Sequence, residues 1–147
     1  MRTNFNHKIE KIICPFDFTE TGRAGLGYAG LLSMALGARL TIFYVQPSNW
    51  PEAPQLYEDP NDSTRGIKRL LKLEINAMED LFGIQCEYAV EPTTDTITMA
   101  VGAMSADYDL IVMGTNGADD LYQHVFGTNT HHVLGLARCP VLMIIKS

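Results

Sequence analysis

Three glycines and a threonine carry the clearest chemical pattern in this chain: Gly114-Thr-Asn-Gly117, nine further residues, then Gly127-Thr128. They stand directly behind Leu110-Ile-Val-Met113. Four large apolar residues followed at once by a glycine predict a buried strand that stops sharply. The glycines after it give a loop whose backbone can approach a ligand, since no Cβ is in the way. Thr128-Asn129-Thr130 opens the last predicted helix, and a helix N-terminus offers an anion its unpaired N–H groups and the positive end of its dipole. The amides of Gly114, Gly117, Gly127 and Thr128, with the hydroxyls of Thr128 and Thr130, form a candidate phosphate cradle. The loop is not a P-loop, because it lacks the Gly-Lys-Ser/Thr ending and with it the lysine and the Mg²⁺ ligand of P-loop hydrolases. A plain connecting loop would carry the same glycines, so the elements around it must decide.

Asp17 is the second candidate. It follows Pro15-Phe16 at the end of the first apolar run, and acidic residues at strand ends bond the sugar or base of nucleotides in dinucleotide folds. The alternative is that Asp17 caps the turn into the first helix, a task Thr19 can equally perform. The other chemistry-bearing residues form no constellation. His131 and His132 would diverge by about 100° on a helix and make poor joint metal ligands. Cys14, Cys86 and Cys139 form no CxxC pair and lie in or beside apolar runs, which reads as small buried hydrophobes in a reducing compartment. Trp50 stands in a proline-rich segment, as a lid aromatic or as a packed or partner-facing one. No serine, histidine and acid arrangement emerges, so neither a catalytic residue nor a metal site is assigned.

The elements that must position these residues alternate in type. Lys11–Cys14, Leu40–Val45, Ile84–Val90, Tyr108–Met113 and Val141–Ile145 read as strands. Ala24, Tyr28, Leu31, Leu32, Ala35 and Leu36 recur at helical spacing and stop at Gly37. Ile67, Leu70, Leu71, Ile75, Met78 and Phe82 mark a second helix, with Asp62 or Ser63 as its cap. Ile97, Ala100, Val101 and Met104 place a third over Thr94–Ala106, and Thr128–Ala137 forms a fourth. Gln46 to Asn61 holds four prolines and no periodicity, so it reads as a long loop. Strict strand–helix alternation with near-continuous apolar strands predicts an α/β fold: a five-stranded, doubly wound parallel sheet with helices on both faces. With strand order 3-2-1-4-5 the order reverses between strands one and four, where such folds bind ligands at the strand carboxyl ends. Asp17 and Gly114 would then border one crevice.

Composition bounds the rest. The 147 residues are expected to form one domain, residues 1–147. The net charge of −6, with 11 scattered basic residues, argues against a nucleic-acid groove. No apolar run reaches the eighteen or so residues of a membrane helix. The polar start, Met1 to Glu10, reads as no signal peptide, so a cytoplasmic protein is expected.

Taken in order, these motifs resemble a universal stress protein domain over nearly the whole chain. Ile12-Ile-Cys-Pro-Phe-Asp17 with Thr19-Glu20 and a helix ending at Gly37-Ala38 is similar to that family's opening. Tyr108-Asp-Leu-Ile-Val-Met-Gly114 resembles its fourth strand, and Ala137-Arg-Cys-Pro-Val-Leu142 its closing helix and strand. The glycine spacing fits its nucleotide-binding pattern G-x2-G-x9-G-[S/T] without gaps. The resemblance implies binding of ATP or AMP and a homodimer paired through the C-terminal strand. It implies a nucleotide site with adenine near Asp17, with Pro15 and Phe16 before it, and the Val45 backbone, and sugar and phosphates against Met113, Gly114, Gly117, Gly127, Thr128, Asn129 and Thr130.

Two departures stand out. Many members carry His-Gly and then a basic residue, whereas this chain reads Asn116-Gly-Ala-Asp-Asp120. Asp119 and Asp120 would each repel a triphosphate by roughly 1 kcal/mol or more at partly screened distances, unless a divalent cation such as Mg²⁺ bridges them. Asn129 replaces a usual small apolar residue. The expectation is an adenine-nucleotide-binding stress-response module. The alternatives are a slow ATP-hydrolysing or nucleotidyl-transfer enzyme, with Asp17, Asp119 and Asp120 its only candidate groups, and a dimerising interaction module with an empty crevice.

Overall fold

A computed structural model describes residues 7–47, 65–93, 97–115, 133 and 135–145. Strand β1 is Lys11–Pro15, followed by helix α1 (Glu20–Leu36), strand β2 (Arg39–Pro47), helix α2 (Arg65–Phe82) and strand β3 (Cys86–Thr93). Helix α3 (Ile97–Met104) runs into a 3₁₀ turn at Ser105–Asp107, then strand β4 (Leu110–Thr115); strand β5 is Val141–Ile145. Positions 133, 135 and 136 are helical and Ala137 is not; the other positions of the helix expected over Thr128–Ala137 lie outside the described residues. The proline-rich segment, including Trp50, lies outside the described residues, as do Asp62 and Ser63.

The strands form one sheet in the order β3-β2-β1-β4-β5, and every neighbouring pair is parallel. This is the doubly wound order expected from the alternation of elements. Successive residues of a strand face opposite sides, so apolar strands with no polar alternation require cover on both faces. Ile12, Cys14, Leu40, Ile42, Tyr44 and Val112 pack on one face against Leu26 and Ala29 of α1 and Ile67, Leu71 and Met78 of α2. Ile13, Phe43, Val45, Ile111 and Met113 pack on the other against Ala100 and Val101 of α3 and against Val133.

Local chemistry sets the helix ends. The Thr19 hydroxyl caps α1 by accepting from the Gly22 amide at 3.0 Å. Gly37, at φ +66°, ends the helix in the left-handed conformation open to a residue without a Cβ. Four of the five strands differ from expectation at their ends: β1 extends to Pro15, and β2 spans Arg39–Pro47, taking in Gln46 and Pro47 from the expected loop. β3 begins at Cys86 rather than Ile84, because α2 runs to Phe82 and its left-handed Gly83 intervenes. β4 begins at Leu110 rather than Tyr108 and continues through Gly114 and Thr115, which pair with Ile144 and Ile145 of β5.

Candidate functional site at the strand carboxyl ends

The strand order reverses between β1 and β4, and in doubly wound folds the carboxyl ends of the strands flanking such a reversal are where ligands bind. The register Pro15↔Phe43 in β1–β2, continued two residues, sets Asp17 at the level of Val45. The register Ile13↔Ile111 in β1–β4 likewise brings Pro15 level with Met113, with Gly114 next. Six expected site residues, Pro15, Phe16, Asp17, Val45, Met113 and Gly114, therefore gather at one end of three adjacent strands. Gly117, Gly127, Thr128, Asn129 and Thr130 lie outside the described residues, as do Asp119 and Asp120.

Asp17 is exposed, and one of its oxygens is already engaged. Its Oδ1 accepts from the Thr19 amide at 3.1 Å and from the Thr19 hydroxyl at 2.5 Å. Thr19 passes the order on by capping α1. The two readings of Asp17 are thus resolved for the helix: Thr19 is its cap, and Asp17 fixes Thr19. Phe16 is buried, and its amide donates to the Phe43 carbonyl at 2.9 Å, which ties the end of β1 to β2. Val45 and Met113 are buried with their side chains in the second face of the core, leaving backbone as what they offer a ligand.

Gly114 is buried inside β4, and the reason is packing. A Cβ on Gly114 would overlap the Thr21 carbonyl of α1, and one on Gly25 would stand 2.5 Å from the Gly114 amide nitrogen. The strand does not stop at this glycine; the helix crosses it.

Four residues here carried no sequence signal. Phe18 has φ +66°, the left-handed region that non-glycine residues rarely adopt. Its ring sits 4.8 Å from that of Phe16 and 5.8 Å from that of Tyr44. The Arg23 guanidinium lies 5.6 Å over the Phe16 ring and pairs with Glu74 of α2 at 2.8 Å. Burial pushes the Tyr44 hydroxyl pKa up, and the charge of Asp17 adds to that rise. Among the described residues, no three of His, Cys, Asp and Glu stand together as metal ligands, and no helix is long and apolar enough to cross a membrane.

The topology and the converging strand ends define a doubly wound α/β domain, the class that takes ligands at a topological switch point. The family model "Universal stress protein family" matches residues 8–144, and the chain belongs to that family. A universal stress protein family member from Burkholderia pseudomallei is 24% identical with a TM-score of 0.69, covering 94% of this chain and 97% of that one. A universal stress protein solved in complex with cAMP is 18% identical with a TM-score of 0.65, covering 96% and 100%. An Arabidopsis thaliana family member solved with AMP bound is 15% identical with a TM-score of 0.64, covering 94% and 92%. At these identities the likeness carries the fold. A comparison with curated proteins yielded no match.

Proposed function

We propose that this chain is a single-domain adenine-nucleotide-binding module of the universal stress protein family, acting in the cytoplasm in cellular stress response. The observation that carries the reading is the fixed Asp17 carboxylate beside the ends of β2 and β4, where the gapless glycine pattern begins. With Oδ1 held by Thr19, the second oxygen is left to accept a single N–H, such as the exocyclic amine of adenine. The backbone at Val45 and Met113-Gly114 supplies the walls. Gly117, Gly127, Thr128, Asn129 and Thr130 then cradle sugar and phosphates with amides and hydroxyls. AMP and cAMP in two relatives of the same fold support an adenine ligand. Asp119 and Asp120 lie in the loop sequence, so a bridging Mg²⁺ favours ATP binding.

The proposed assembly is a homodimer through β5, supported by how the two sheet edges differ. The β3 edge carries Glu87 and Glu91, charges that discourage strand pairing. The β5 edge, Val141-Leu-Met-Ile-Ile145, carries none, and its Leu142 and Ile145 are 39% and 66% exposed. Pairing two copies there covers that edge. Calorimetric titration with AMP, ADP and ATP tests the nucleotide reading: saturable binding of any of them supports it, and none at millimolar concentration overturns it.

A further inference from the structure

We infer that Phe18 is the positioning residue of the candidate nucleotide site, its ring anchored on Phe16 and Tyr44 so that its left-handed backbone holds the Asp17 carboxylate in place. The inference rests on the reading of Asp17 as a ligand contact. Among the described residues Phe18 is the one non-glycine residue with positive φ. A bulky L residue is sterically disfavoured there, so the surrounding structure must hold it.

The anchors are visible. The Phe18 ring meets Phe16 at 4.8 Å and 58° and Tyr44 at 5.8 Å and 56°, separations and tilts within the favourable range for aromatic pairs. Both partners are buried, one just after β1 and the other in β2. Arg23 covers the Phe16 ring and is tied to α2 through Glu74. The ring thus fastens the turn to two strands and, through Arg23, to two helices.

What the turn does is equally specific. By reversing the chain at Phe18, it aims the amide and hydroxyl of Thr19 back at Asp17 Oδ1. The carboxylate is then pressed over the first turn of α1, where a Cβ on Gly22 would stand 2.7 Å from Oδ1. Glycine at position 18 would adopt this turn without steric penalty, and asparagine with little. Alanine keeps the penalty and loses the anchors. The substitutions therefore separate positioning from packing.

The test uses the full chain and three variants, Phe18→Ala, Phe18→Gly and Phe18→Asn, each checked for folding by circular dichroism. AMP affinity is measured by calorimetry, and exchange of the Thr19 amide by NMR. Phe18→Ala is expected to weaken AMP binding and to speed Thr19 exchange by about tenfold, since a left-handed alanine is strained by that order. Phe18→Gly and Phe18→Asn are expected to stay within about twofold of the parent in both, although all three variants lose thermal stability. Phe18→Ala behaving as the parent, or all three variants failing alike, overturns the assignment. If the parent chain binds no AMP, the nucleotide reading falls, and the Thr19 exchange pattern alone upholds or overturns the role of Phe18.

Discussion

Gly25 of α1 and Gly114 of β4 meet backbone to backbone, so closely that a Cβ on Gly25 would stand 2.5 Å from the Gly114 amide nitrogen. Alanine at either position has only rigid backbone to push against. Gly25→Ala and Gly114→Ala are each expected to destabilise the fold by about 1–3 kcal/mol. The melting temperature should fall by about 2–4 °C for each kcal/mol. Gly27, in the same helix, has nothing within 4 Å of a Cβ position. Gly27→Ala should therefore stabilise by about 0.5–1 kcal/mol, through a less flexible unfolded chain. Thermal denaturation followed by circular dichroism checks the opposite signs. A neutral Gly25→Ala would show that α1 and β4 are not in this contact.

Asp17→Asn separates ligand contact from structure. The asparagine Oδ1 can still accept from Thr19, so the turn survives and the melting temperature should hold within a few degrees. The second oxygen becomes an NH₂ group, which cannot accept from an adenine amine. Loss of one hydrogen bond to a charged acceptor corresponds to about 1.5–3 kcal/mol, so AMP binding should weaken at least tenfold. Unchanged affinity in this variant would remove Asp17 from the site.

Alkaline stability follows from two shielded thiols, Cys14 buried and Cys86 half-buried. Burial, with the charges of Glu79 and Glu87, pushes the Cys86 thiol from 9.0 up to about 12. Burial raises the Cys14 thiol as well, with Cys86 and Asp17 adding to it. These thiols are neutral when protonated, so the folded chain holds their protons to higher pH than the unfolded chain does. The Cys86 contribution is fully present below pH 9.0 and is lost as pH rises toward about 12. Urea midpoints should be level across neutral pH and decline above about pH 9, more gently in Cys86→Ala. A midpoint unchanged up to pH 11 would contradict this.

The two sheet edges make a further prediction. Ile145→Glu puts a charge on the exposed apolar edge strand, where a pairing partner would bury it. Sedimentation equilibrium should find a dimer for the parent chain and a monomer for the variant. A monomeric parent would overturn the proposed dimer, and a variant that stays dimeric would place the interface elsewhere.

The order of elements was legible because apolar continuity leaves few options: strands such as Ile12-Ile-Cys14 and Leu110-Ile-Val-Met113 must be covered on both faces, and the intervening stripes supply the cover. The convergence of Asp17 and Gly114 followed from that topology. The purpose of Gly114 did not, because a glycine reads alike whether a ligand or a helix approaches it. Its contact with Gly25 joins residues far apart in the chain, which no local pattern records. Thr19 and Asp17 were interchangeable as caps in sequence and are distinct in space, one bonding Gly22 and the other bonding Thr19. Phe18 was invisible, since the usual sign of a left-handed turn is glycine and the ring contacts that replace it are tertiary.

An adenine nucleotide is proposed to bind beside Asp17 and Gly114. Calorimetric titration of the full chain with AMP, and with ATP in the presence and absence of Mg²⁺, tests it most directly. Saturable binding of one nucleotide per chain is expected, with ATP binding strengthened by Mg²⁺. Failure of AMP, ADP and ATP to bind at millimolar concentration, with or without the cation, would contradict it.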